Sequence, residues 1–566
     1  MSNISQIEII NYRSIEKATF DSIENVTAFI GPNSSGKSSA LYALQWFFED
    51  TDWSNDNVNI NTQEDSEKSV SVSVAVKFNL TGANNLEFLS SKNKFIYIKR
   101  TIIIDIKSTS KPKPSFLEYK TSENEDWIKS DDLETFLSEK YTFLLIPAQI
   151  DKNGVESDSI LNKFLSAIPS LPDTPSWKEG ERENYENKLK DESYKLISPV
   201  FNEMLPNHNF DISTKASMPT KAKITWSFNV VMPNGHKRPL SYEGDGFIRS
   251  LIISSLLAIE NSNKKHIIVA IEEPELYQHP IRAKELASKL QSWAEKENYQ
   301  VIYATHSQYF IPKYNISSTL IFSLNDKNNT SVTYLSVKSI KPNGGKKATE
   351  HYRKRVQKYL HVGLMNRFAE VLFAKGVILV EGESDASIIR GLISHKNHDG
   401  FLEEKGILIL PVGGAPDFPL TIDIIKSIGK PYYIVADGDY REGLDQDKIN
   451  SYKNSYSTIS SYIDLGDNHS WGSETKITSD FTYFKKDIED ELLGEPNFIK
   501  EWVNCYPNYS KIKDNLQHVK DALSNKKINK NPHTYYLVAS NTKLTPNSNM
   551  ENMIKEIENF CATVYK

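Results

Sequence analysis

The sequence predicts an α/β protein of two or three domains, the first with an antiparallel sheet inserted after a strand, loop and helix unit, the second with a parallel sheet. Three observations carry this. At 566 residues the chain is too long for one ordinary domain. The apolar run Val26 to Ile30 leads into a glycine-rich loop and an amphipathic stretch, after which Val70, Val72, Val74, Val76, Phe78 and Leu80 alternate as a half-buried antiparallel strand does. Two later apolar runs, Val377 to Val380 and Tyr432 to Ala436, stop at acids and are separated by helical patterns, the alternation of a parallel sheet covered on both faces.

Lys plus Arg number 67 against 73 Asp plus Glu, a net charge of -6. Global charge therefore announces no nucleic-acid partner, and basic residues that serve one must be segregated locally. Two cysteines, Cys505 and Cys561, exclude a disulfide framework and fit a reducing compartment. No run approaches the ~20 apolar residues of a membrane span, and Met1 to Ile10 lacks the apolar core of a signal peptide. A cytoplasmic protein without a membrane partner is expected.

Ile7 and Ile9 alternate with polar neighbours, and the chain turns near Asn11 to Ser14. After Val26 to Ile30 comes Gly31-Pro-Asn-Ser-Ser-Gly36-Lys37-Ser38, and Ser39 to Phe48 is a predicted helix with Leu41, Leu44, Phe47 and Phe48 on a face. This is the context of a P-loop. Backbone N–H groups and the helix N-terminus cradle phosphates, Lys37 reaches the β/γ oxygens and Ser38 ligates magnesium. Gly31, Asn33, Gly36, Lys37, Ser38 and Ser39 are thus the candidate ATP-binding residues. Ile267 to Ile271 is an apolar strand ending in Glu272-Glu273, a Walker B element: Glu272 would hold the magnesium-bound water and Glu273 would polarise the attacking one.

Phe95 to Ile106 and Phe116 to Tyr119 are further predicted strands, split by a turn near Lys111 to Pro114. An antiparallel sheet inserted after the P-loop helix resembles the build of ABC-type ATPases, and that resemblance gives other motifs their roles. Gln149, closing a strand from Phe143, would sense the γ-phosphate through magnesium. Leu240 to Arg249, ahead of a helix from Ser250 to Ile259, resembles the signature loop that a second subunit lays across the γ-phosphate. Asp245 stands where a phosphate-contacting serine is usual, so either Ser241 substitutes or turnover is weak. His306, after the strand beginning at Gln300, would be the switch histidine. Such a site needs a second copy, so a homodimer or higher homo-oligomer is implied.

The second half is organised around Val377 to Asp385 and Tyr432 to Asp439. Each apolar strand stops where an unpaired carboxylate is too costly to bury. Placed side by side, the strands converge Glu381, Asp385, Asp437 and Asp439, with Asp437 and Asp439 two positions apart on one side of the chain. Like charges so gathered need divalent cations, and oxygen-only ligands favour magnesium or manganese. The implied chemistry is two-metal phosphodiester cleavage. The strand-Glu-Gly and Asp-x-Asp pattern resembles a Toprim domain. Met365 to Asp385, with Glu-Glu-Pro-Glu at 272–275, resembles the OLD (overcoming lysogenisation defect) nucleases.

That resemblance implies an ABC-type ATPase fused to a Toprim nuclease that cuts or nicks DNA and serves in antiphage defence, alone, with a helicase-like partner or with a retron-type reverse-transcribed element. It further implies Glu489 as an additional acid and Lys543 as the group that stabilises charge on the scissile phosphate. The expected division is 1–150 and 216–335 for the ATPase, 151–215 for a helical insertion or dimerisation arm, 336–370 for a mobile linker and 371–566 for the Toprim part. The linker is basic (Lys338, Lys341, Lys346, Lys347, Arg353, Lys354, Arg355, Lys358), as is Lys511 to Lys530, and both suit a phosphate backbone. Two other classes stand beside this reading: a recombination or repair ATPase of the RecF or SMC kind that does not cut, and a Toprim topoisomerase or primase, for which 28 tyrosines offer no lack of nucleophiles.

Overall fold

The strand Val26–Ile30 (β3) is central to a six-stranded sheet of order β15-β14-β3-β13-β12-β8 in a computed structural model of the chain. Its parallel neighbours are Tyr299–Ala304 (β13) and Thr319–Leu324 (β14). His266–Glu272 (β12) and Tyr141–Ile146 (β8) complete one side, and Thr330–Tyr334 (β15) the other. The structure describes residues 3–149, 209–505 and 531–565, apart from 52, 60, 62–68, 81–93, 106–113, 218–222, 232–233, 240–241, 259–264, 296–298, 313–315, 338, 344–347 and 366–367, together with scattered positions between 183 and 202. Two compact units are distinguished, Met1–Thr333 and Tyr334–Lys566.

A second sheet of the first unit is antiparallel, of order β2-β1-β4-β5-β6-β7. It comprises Ile4–Tyr12 (β1), Ile15–Asp21 (β2), Ser69–Asn79 (β4), Phe95–Asp105 (β5), Phe116–Lys120 (β6) and Ile128–Lys129 (β7). The alternation that predicted a half-buried β4 holds at its ends, but Ser73 and Ala75 in its middle are buried too. Small side chains between two flanking strands are covered by their neighbours. The helix Lys37–Glu49 supplies Leu41, Leu44 and Phe47 to one core shared by both sheets, with Ile9 and Val74 from one and Ile268 and Ile302 from the other. A three-stranded antiparallel sheet is formed by Asn209–Ser217, Lys223–Val231 and Lys237–Pro239 (β9 to β11), with Gly235, whose φ is 80°, in the turn between β10 and β11. Most of the 151–215 insertion lies outside the described residues.

The second unit holds a five-stranded sheet of order β17-β16-β18-β20-β19. Gly376–Val380 (β16) lies parallel to Ile407–Pro411 (β17) and Tyr432–Asp437 (β18), and β18 lies parallel to Phe481–Phe484 (β20). Lys476–Ile477 (β19) closes the edge antiparallel. All five β16 residues are buried, which is why the run carries no polar alternation. The helix Glu350–Met365, inside the stretch read as a linker, belongs to this unit.

Candidate metal and nucleotide sites

Glu381 leaves β16 where the neighbouring chain turns away: the Val412 N–H reaches the Val380 carbonyl at 2.9 Å and the Gly413 N–H reaches that of Glu381 at 3.1 Å. Gly413 and Gly414, with φ of 91° and 123°, make that turn. One Glu381 carboxylate oxygen accepts from the Asp437 N–H at 3.2 Å, and one Asp437 oxygen accepts from the Ile488 N–H at 3.2 Å. Asp385, in the first turn of the helix Glu383–Lys396, accepts from the Gly382 N–H at 2.8 Å, a favourable place for a carboxylate. Glu489 comes from the first turn of Ile488–Leu493. Ligand oxygens of Asp385, Asp437 and Glu489 lie within 4.8 Å of one another, a spacing one hard cation can bridge.

Asp439 is placed differently from the sequence expectation. The strand ends at Asp437, and Asp439 sits beyond it with φ of 50°, its N–H on the Lys486 carbonyl, so strand alternation does not set its side chain. It lies outside the group of three but still acts on Glu381. Burial, together with Asp439, Asp385 and Glu489, raises the Glu381 pKa to about 8 against the pull of the Asp437 N–H. Burial first, then Glu381, Asp385, Asp487 and Glu489, pushes Asp437 well above the carboxylate range. Divalent cations reverse that effect, so the donor set fits them.

Asp487 went unread in the sequence. Buried at the N-cap of Ile488–Leu493, it accepts from the Asp490 N–H at 2.8 Å and pairs with Arg441. A capping Asp two residues before Glu489 was the available signal. Lys543 is exposed, and among the described residues no ion pair joins its ammonium to the acids.

In the first unit Gly31 and Gly36 have φ of 144° and 101°. A Cβ would stand 2.2 Å from the Phe322 carbonyl oxygen at Gly31 and 2.2 Å from Thr330 Oγ1 at Gly36. Lys37 Nζ donates to the carbonyls of Gly31 (2.9 Å) and Pro32 (2.7 Å). Burial lowers its pKa to about 8, with Glu273 and Glu275 opposing. Asn33 and Ser38 are exposed, and Ser39 meets Ser14 at 3.5 Å. Glu272 is buried, one oxygen accepting from Tyr42 OH (3.3 Å) and the Ala148 N–H (3.0 Å). Glu273 has φ of 43° and faces His306 Nε2 at 3.9 Å.

Glu275, unassigned from sequence, holds that segment through Thr305 Oγ1 (2.8 Å) and the His306 N–H (2.7 Å). The buried Arg249 donates to the carbonyls of Ala148 (2.6 Å) and Glu272, tying the helix Asp245–Ala258 to the end of β12. That helix begins at Asp245, five residues before the predicted start. β8 stops at Ile146, leaving Gln149 exposed beyond it, and Ser241 lies outside the described residues.

The AAA ATPase domain family model matches residues 3–311, and the model for the overcoming lysogenization defect protein-like TOPRIM domain matches residues 372–439. The chain is 24% identical over 557 residues to the "Old nuclease" of Escherichia phage P2, covering 90% of each. The "OLD nuclease" of Thermus scotoductus is 26% identical over 220 residues, 38% of this chain and 39% of that one. "Endonuclease GajA" of Bacillus cereus is 26% identical over 331 residues, 53% of this chain and 47% of that one.

Proposed function

Because the chain belongs to the OLD family, an AAA ATPase domain followed by a Toprim domain, we propose that it is an ATP-dependent DNA endonuclease or nickase using Mg2+ or Mn2+. The observation that carries this is the meeting of Asp385, Asp437 and Glu489 beside Glu381. Glu381, Asp385, Asp437, Asp439 and Glu489 would hold the ions, which supply charge neutralisation and an activated water for in-line attack on phosphorus. The protein fixes the donors. The Ile488 N–H orients Asp437, whose own N–H orients Glu381, so the rim keeps its shape while carrying repelling charges. Lys543 is the candidate to offset charge on the scissile phosphate.

In the ATPase unit, Lys37 and the loop N–H groups would receive the phosphates, Ser38 and Glu272 the magnesium ion, and Glu273, with His306 opposite, the attacking water. Gln149 and Ser241 complete the proposed set. We assign the second unit's substrate as DNA, the setting as antiphage defence, and the working form as a homo-oligomer. Tyr242, Tyr277 and Ile281, exposed around the helix Asp245–Ala258, support the last. Among the described residues no helix is long and apolar enough to cross a membrane.

The topoisomerase reading finds no support in Tyr483 or Tyr535, whose pKa values burial and these acids raise, because both are buried and closed to a DNA strand.

Purified protein incubated with supercoiled plasmid, Mg2+ or Mn2+, with and without ATP, tests the proposal. Glu381→Gln and Asp437→Asn should each lower cleavage about 10- to 100-fold, the scale of losing a metal-orienting group, while ATP binding persists. Cleavage equal to wild type in both would overturn it.

A further inference from the structure

Resting on the reading of the second unit as a DNA enzyme, we infer that the outer face of the helix Glu350–Met365 grips the phosphate backbone of duplex DNA. The helix is sharply two-faced. Val356 and Leu360 are buried with Tyr352 and Tyr359 beside them, while Arg353, Lys354, Arg355 and Lys358 are all exposed. The inner face is fixed: Tyr352 OH donates to the buried Asp423 carboxylate at 2.6 Å, and Tyr359 OH meets Thr421 Oγ1 at 2.7 Å. A second tyrosine, Tyr462, donates to the same Asp423 oxygen at 3.0 Å. The four cations thus stand on a rigid mount, which spares the ordering cost that a mobile linker would bear on binding.

What sets them apart is that four cations without acidic partners stand together on one helix. Many other cations of this unit are paired, as in Arg390–Glu403 (2.6 Å), Lys396–Glu558 (2.7 Å), Lys485–Glu474 (3.1 Å) and Lys555–Glu551 (3.3 Å), and the unpaired Lys341, Lys500 and Lys543 are scattered singly among the described residues. Among the described residues no ion pair engages Arg353, Lys354, Arg355 or Lys358. A chain of net charge -6 that leaves four neighbouring cations unneutralised is poised for an external anion.

The position fits a polyanion bound for the acid cluster. Thr421 Oγ1 donates to the Asp417 carbonyl at 2.9 Å, one turn from the Gly413-Gly414 bend whose N–H holds the Glu381 carbonyl. The helix is therefore docked on the element that starts at the acidic rim. That rim repels phosphates, and a cationic face on the same unit supplies the affinity it lacks.

The test is fluorescence anisotropy of the full chain with a labelled duplex of about 30 base pairs in EDTA, titrated with salt. Combined Arg353→Gln, Lys354→Gln, Arg355→Gln and Lys358→Gln should weaken binding at least about ten-fold and flatten the slope of log affinity against log salt by about 3 to 4, near 0.9 per lost phosphate contact. The charge-keeping set Arg353→Lys, Lys354→Arg, Arg355→Lys and Lys358→Arg should restore the slope. Lys354→Gln alone should flatten it by about 0.9 without a change in thermal unfolding. An unchanged slope in the four-fold Gln variant overturns the inference, as does loss of affinity for phosphatidylglycerol vesicles with none for DNA. Absence of cleavage by the wild type alongside the expected binding shifts would overturn the nuclease assignment and leave this surface standing.

Discussion

Glu381 combines partial burial with acidic neighbours that make ionisation costly, and this has a signed consequence for pH. With a folded pKa near 8 against about 4.5 unfolded, the folded state keeps a proton that the unfolded chain has lost across that window. Stability without divalent cations therefore falls as pH rises from about 4.5 to 8, and a cation, which takes the ionised form, restores it. Thermal unfolding with and without Mn2+ should show a stabilising increment that grows from pH 6 to pH 8 in wild type and shrinks in Glu381→Gln. His266 has the opposite sign. Burial, with neither ring nitrogen hydrogen-bonded, lowers its pKa to about 4, so stability is lost as pH falls from about 6.5 to 4. His266→Phe should flatten that acid limb in a denaturation series, and an unchanged limb would refute the assignment. Glu381 and Asp437 were legible because an apolar run that stops at an acid has few physical explanations. Tyr42, 230 positions from its partner Glu272, was not, since its role exists only through a contact that folding creates.

At the scale of elements, the turn after β18 is built on contact too close for any side chain but hydrogen. A Cβ at Gly438 would stand 2.6 Å from the Phe484 and Lys485 carbonyl oxygens and from Tyr483 OH, while its N–H bonds the Lys486 carbonyl at 2.8 Å. Gly438→Ala should push the Lys485–Ile488 segment off Asp437 and abolish metal-dependent cleavage, with ATP binding unaltered; retained cleavage would contradict this placement. The sequence showed β16, β17 and β18 through their apolar runs. It did not show β20, whose Phe-Thr-Tyr-Phe is four residues long with a polar residue inside, though β20 delivers Asp487 and Glu489. The early start of the helix Asp245–Ala258 escaped notice because Asp245-Gly246 reads as a turn. There Gly246 serves close packing, a Cβ meeting the Tyr277 carbonyl oxygen at 2.5 Å.

For the whole molecule, Asp245 in the first turn of that helix motivates the hypothesis that nucleotide occupancy positions the nuclease more than turnover powers it. Glu273→Gln should then keep ATP binding and DNA cleavage, whereas Lys37→Ala loses both; abolition of cutting by Glu273→Gln would refute it. The order of motifs revealed the fold class because each motif sits at the end of a strand, but periodicity carries no record of which strands become neighbours. That β3 lies between β14 and β13 is such a fact. Both flanks of the strand that carries the phosphate loop are supplied by chain made roughly 300 residues later, which at ~5–20 residues per second is about 15–60 s of synthesis. Until then a bare apolar ribbon waits at the ribosome. Fragments ending before Tyr299 should aggregate, and those ending just after Thr333 should stay dispersed.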